Sequence, residues 1–171
     1  MRGDRSWTRG VVVGCLIAVL AAVTGCAGPY QYDDGTGVHD AVAAEVAGTW
    51  VNIDGTRVVL HANGTAQVEN LDGQDFDFDD GWRLSGRGRW QLSDRDGGQL
   101  VRLELTGRTH ADRRPGADAT ATAAAAGEAP STYAWSMYVD RRKGGEVTLF
   151  FFFGDPDAGN AYVLMRTSAV P

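Results

Sequence analysis

From Gly48 onward the apolar residues of this chain recur at every second position in short runs. Period two is the mark of a strand with one buried and one solvated face, and it limits the chain to sheets. Two breaks between runs are Asp54-Gly55 and Asn63-Gly64, dipeptides that tolerate positive φ and match the twist of a two-residue hairpin. The opening therefore reads as a meander of strands at 49–53, 57–61 and 66–71. Runs at 88–92, 99–106, 132–139, 147–153 and 161–166 bring the number to eight, with an acidic loop over 72–86. Eight short strands, mostly on tight turns and without βαβ spacing, predict a mainly β fold. We expect an antiparallel up-and-down barrel, because closure removes exposed edges.

Three segments depart from that pattern. Val38, Val42 and Val46 stand at i, i+4 and i+8, one stripe of a short helix over 38–47. Residues 107–130 carry almost no large apolar side chains and an Ala/Thr centre; such a chain cannot offset its ordering entropy and is expected to be a disordered insertion. Residues 147–153 are apolar on both faces: Val147, Leu149, Phe151 and Phe153 point one way, Phe150 and Phe152 the other. One face should fill the barrel. The other should lie beneath the helix or, if exposed, form a partner-facing patch at Phe150 and Phe152. In the loop after this strand, Asp155, Pro156 and Gly159 supply the chemistry of a turn, Gly159 by positive φ.

The N-terminus addresses location. Arg2, Arg5 and Arg9 precede an apolar run, Val11 to Val23, of thirteen residues. That is shorter than the about 20 residues a membrane-spanning helix needs and suits a secretory signal. Val23-Thr24-Gly25-Cys26 resembles the lipobox of bacterial lipoproteins. The resemblance implies a signal peptide over 1–25, a lipid-bearing Cys26, a flexible tether over 26–37 and a barrel domain over 38–168, held at the cell membrane outside the cytoplasm. Val12-Val13-Gly14-Cys15 fits the same pattern but leaves too short an apolar region before it. With Cys15 removed and Cys26 acylated, the domain would have no disulfide and no thiol chemistry, so its core must hold it together. The formal charge of −6 becomes −8 without residues 1–25, since 13 basic and 21 acidic residues then remain. An acidic balance argues against nucleic acid and against anionic headgroups as partners.

Gly48-Thr49-Trp50, after a short helix and at the start of eight strands, resembles the opening of lipocalins and the wider calycin group. That resemblance implies that Arg166, near the end of the last strand, packs on Trp50 and closes one end of the barrel. The order of Gly-Thr-Trp, an Asn-Gly-Thr hairpin, Gly86-x-Gly88-x-Trp90 and a Gly-Asp-Pro-Asp loop is also similar to a group of small actinobacterial lipoproteins, over roughly 45–167.

Motifs for chemistry are sparse. Asp75, Asp77 and Asp79 have the 1, 3, 5 spacing of a calcium loop. Asp80 stands where the loop needs glycine and Gly86 where it needs a bidentate glutamate, so these three are weak candidates and no metal is assigned. Phe76 and Phe78, between them, read as anchors tucking the loop onto the sheet. His39, His61 and His110 are scattered, and neither a nucleophile elbow nor a zinc-protease motif occurs, so no catalytic residue and no cofactor are assigned. Trp90, Tyr133, Trp135 and Tyr162 supply aromatic rings that either fill a small barrel or line a site for one apolar ligand. The sequence thus leads to a membrane-anchored, non-enzymatic binding module, its partner a small apolar ligand or an envelope protein. The alternative is a solid barrel with a structural or inhibitory role, and an envelope hydrolase stands third.

Overall fold

The turn glycines take the conformations their dipeptides require, Gly55 at φ 87° and Gly64 at φ 80°. Asn63 adds a side-chain cap by accepting the Thr65 amide on Oδ1 at 3.1 Å. The computed structural model describes residues 35–117, 128–155 and 158–167. Its strands are β1 Gly48–Val51, β2 Arg57–Leu60, β3 Thr65–Asp72, β4 Trp82–Arg95, β5 Gly98–Arg113, β6 Tyr133–Arg141, β7 Val147–Phe152 and β8 Ala161–Arg166. All eight close into one antiparallel barrel in chain order. β1 meets β8 through Trp50↔Arg166 and Val51↔Met165. This is the up-and-down barrel expected from the alternation, an architecture compatible with a calycin-like fold.

Three expectations need correction. The helix shrinks to α1, Ala43–Val46. Its first half is captured as extended chain, because Gln99 takes the Val38 carbonyl at 2.7 Å with its own amide. The Gln99 side chain then bridges the Ala41 N–H and carbonyl at 2.9 and 3.0 Å. Second, residues 107–113 continue β5 instead of opening a disordered insertion, and pair with Trp82–Arg87 of β4. This segment buries little, and its order comes from ladder hydrogen bonds to a neighbour that is itself packed on β3 through Leu71↔Leu84. Residues 118–127 of the expected insertion, like the signal segment, Cys26 and most of the tether, lie outside the described residues. Third, the acidic loop ends at Gly81, since Trp82–Gly86 belong to β4, which also runs past the expected Leu92.

Chain order sets what meets at each end of the barrel. One end gathers α1, the start of β1 and the end of β8; Ala41 and Val46 drop their side chains into the core there. The opposite end gathers the last residues of β3, the first of β4, β6 and β8, and the loop between β3 and β4. That loop holds a single 3-10 turn, Phe76–Phe78.

Candidate functional site

A ligand of lipocalin type would sit among the inward side chains, so the interior comes first. Trp50, Leu84, Leu103, Trp135, Met137 and Phe151 are each 0% exposed. A side chain lining a cavity that holds even one water would present surface to it, so these residues enclose none. Rings fill the space: Phe151 stacks on Tyr162 at 4.7 Å, and Tyr133 meets Trp135 edge-on at 4.8 Å. Three indole N–H groups are spent on the protein's own main chain, and that of Trp82 goes to Asp80 Oδ2 at 3.3 Å. Trp50 donates to Val46 O at 2.9 Å, Trp90 to His61 O at 2.8 Å and Trp135 to Asp72 O at 2.8 Å. Of the four aromatic candidates, Trp90, Trp135 and Tyr162 are therefore wall or filling; Tyr133, half-buried, stands at the loop end.

Beneath the acidic loop lies a polar network that periodicity could not reveal. Asp72, at 0% exposure, accepts on Oδ2 from Arg83 Nε at 3.1 Å and from the Tyr162 hydroxyl at 2.9 Å. Its Oδ1 accepts from Arg114 Nη1 at 3.3 Å. Arg83 spends Nη2 on the Asp54 carbonyl at 2.9 Å, and the Thr56 hydroxyl joins Tyr162 to the Asn70 carbonyl. Burial, the largest single influence, would lower the Arg83 pKa, but Asp72 and Tyr162 together outweigh it and hold the guanidinium charged, its pKa above the ordinary value. Burial, with Asp72 beside it, pushes the Tyr162 hydroxyl up, so it stays a donor. Every oxygen of this carboxylate is engaged and none meets solvent, so the cluster's chemistry is that of a clamp. It ties the β1–β2 turn, β3, β4 and β8 to Arg114, whose guanidinium lies 3.4 Å from the Phe78 ring centroid. Phe78 in turn packs on Phe153 at 4.2 Å. The 3-10 turn thus stoppers the barrel mouth, the anchoring expected of Phe78; Phe76 stays exposed.

The three loop aspartates go separate ways. Asp77 accepts the Tyr133 hydroxyl at 2.7 Å, and that hydroxyl accepts the Gln74 N–H at 3.1 Å. Asp75 holds its main chain at φ 50°, bonded to the Phe152 carbonyl and the Gly154 N–H. Partial burial, and then the neighbouring Asp77, raise its carboxyl pKa. Asp79 Oδ1 comes within 4.0 Å of where a Cβ on Gly154 would stand. Among the described residues no three histidine, cysteine or acidic side chains converge on one point.

At the other end Trp50 and Arg166 face each other across β1 and β8. The Arg166 guanidinium donates to the Ala47 carbonyl at 2.7 Å and lies over Gly48, where a Cβ would stand 2.8 Å from Nε. On the outer face of β7 Phe150, itself only 2% exposed, stacks on Tyr138 at 5.2 Å and meets Phe152 at 5.6 Å. Phe150 is thus not an exposed patch, and Phe152 is half-buried. Farther round, Arg87 and Arg89 project outward from β4, beside a groove of about 580 Å³ that runs from the Asn63 turn across β4 to Arg102 and Glu104 on β5.

What these features define is a closed up-and-down barrel with a filled core, a stoppered mouth and a worked outer surface. Compared with known proteins, the chain matches no family model, no curated protein and no solved structure. The Asp72 cluster joins residues from 54 to 162, a span in which no local motif signals it. The outward arginines were in view within Gly86-Arg87-Gly88-Arg89-Trp90, but the chain's net negative charge concealed them.

Proposed function

We propose that this protein is a non-enzymatic interaction module of the cell envelope, anchored by lipid on Cys26, that works by surface recognition. The observation that carries this reading is the filled interior: rings and aliphatic side chains occupy the space in which a calycin-like relative would hold a ligand. Small barrels either pack their interiors or enclose one small molecule, and this one is packed. The lipid anchor is favoured by the lipobox-like stretch and by arithmetic, since two acyl chains hold a protein where one does not.

The reading is tested by extracting the full chain in mild detergent and analysing what travels with it by native mass spectrometry. Envelope macromolecules, with no small apolar molecule at stoichiometric amounts, fit the proposal. One apolar molecule retained per chain would restore the ligand-carrier reading. The anchor has its own test: Cys26→Ala should move the protein out of the membrane fraction.

A further inference from the structure

The Gly86-x-Gly88-x-Trp90 stretch has no part in the core reading beyond its inward residues. Gly86, Gly88 and Trp90 are buried, and the residues between them, Arg87 and Arg89, are exposed. Across the ladders Arg87 is flanked by Gln67 and Gly107, and Arg89 by Thr65 and Glu104. Glu104 is taken, accepting from Arg102 Nε at 2.8 Å. Among the described residues neither Arg87 nor Arg89 forms an ion pair. Two guanidinium forks therefore project from one face of a protein whose formal charge is −6. Positions i and i+2 of a strand put them about 7 Å apart along β4.

We infer that this face binds a linear phosphodiester polymer without bases, the anionic groups lying along β4 on Arg87 and Arg89. The inference rests on the surface-recognition reading above. Guanidinium forks match the oxygens of a phosphate in pairs, and a row of them suits a repeating oxyanion better than a single one. The adjoining groove of about 580 Å³ is lined by Asn63, Thr65, Gln91 and Arg102, side chains that hydrogen-bond polyol hydroxyls. Its one aromatic, Trp90, is 8% exposed and offers no platform on which bases could stack. The acidic residues elsewhere on the surface turn a flat anionic membrane away but leave a single chain free to lie along one strand.

The test uses the full chain in neutral detergent micelles and poly(glycerol phosphate) as probe, with binding followed by calorimetry. Binding should weaken with salt, with a log–log slope of about −1.4 for two phosphate contacts. Arg87→Gln with Arg89→Gln should weaken it about tenfold or more while leaving the melting midpoint in place. Arg142→Gln with Lys143→Gln, which removes the same charge from the exposed β6–β7 turn, should leave it unchanged. No binding at low salt, or equal losses in both double variants, overturns the inference. So does equal or tighter binding to polyglutamate, to an oligothymidylate or to anionic vesicles. A retained apolar ligand with polymer binding intact would sink the functional reading alone; an empty barrel that ignores the polymer would sink only this inference.

Discussion

Replacing Asp72 by Asn keeps the shape of the side chain and removes its charge. Arg83, 5% exposed, then keeps the Asp54 carbonyl and the Thr56 hydroxyl but loses its counter-charge, and Arg114 loses the same partner. Taking one member from a buried pair leaves an uncompensated charge, at a cost of about 3–5 kcal/mol. Whole-domain stabilities are about 5–15 kcal/mol, so the variant should fold with little in reserve. For a domain of this size the melting midpoint should fall by roughly 10–17 °C. The informative comparison is a cycle of Asp72→Asn, Arg83→Met and the double variant, measured by urea denaturation. Arg83→Met retains much of the apolar stem and removes the charge, so the double variant should be more stable than the two separate losses add up to, by about 1–3 kcal/mol. A midpoint that falls by less than about 3 °C in Asp72→Asn, or strict additivity in the cycle, would refute the clamp.

Other sites give simpler outcomes. Gly88→Ala would place a Cβ 2.1 Å from the Glu104 carbonyl oxygen, main chain that cannot rotate aside. It should cost about 1–3 kcal/mol, and an unmoved urea midpoint would show that β4 and β5 can separate there without loss. Asp75→Asn should stabilise the protein at pH 7. The raised carboxyl pKa means the folded state holds its proton more tightly than the unfolded chain, so that contribution is present at low pH and lost as pH rises through the folded value. Asparagine removes the charge and keeps the shape of aspartate at the same main-chain angles, so the advantage should vanish below about pH 4; a variant less stable at pH 7 would contradict this. Arg166→Ala gives up the bond to Ala47 O and the cover over Gly48, and should lower stability by about 0.5–1.5 kcal/mol in the same denaturation assay.

Where turn chemistry and alternation agree, as from β1 to β3 and from β6 to β8, the strands could be read directly from the residues. Asp54-Gly55 and Asn63-Gly64 fix the first two turns, and Val58, Leu60, Ala66 and Val68 mark the inward face that follows from them. The near half of the β4–β5 hairpin was legible, but its far half escaped because it is held by main-chain bonds on one edge, which leave no apolar trace. α1 was overestimated for the opposite reason: Val38 and Val46 do pack on the core, but Val42 is 55% exposed and Gln99 outcompetes the first helical turns for the main chain around Val38 and Ala41. The clamp was invisible because burial of a charge depends on which distant residue answers it. Asp72 looked like one more residue of an acidic loop until Arg83 and Tyr162 were brought to it.

Average charge misled in a related way, and the Gly86–Trp90 stretch shows how. Its inward residues decide how closely β4 and β5 approach: Cβ atoms on Gly86 and Gly88 would lie 2.3 and 2.1 Å from main-chain oxygens of Gly107 and Glu104. Its outward residues contribute nothing to that approach and are free to carry charge. A strand separates these two roles by one position, so stability and recognition can be set independently in five residues. Net charge sums over the whole surface and erases that separation; a partner that lies along one strand meets Arg87 and Arg89 in series, whatever the sign of the total.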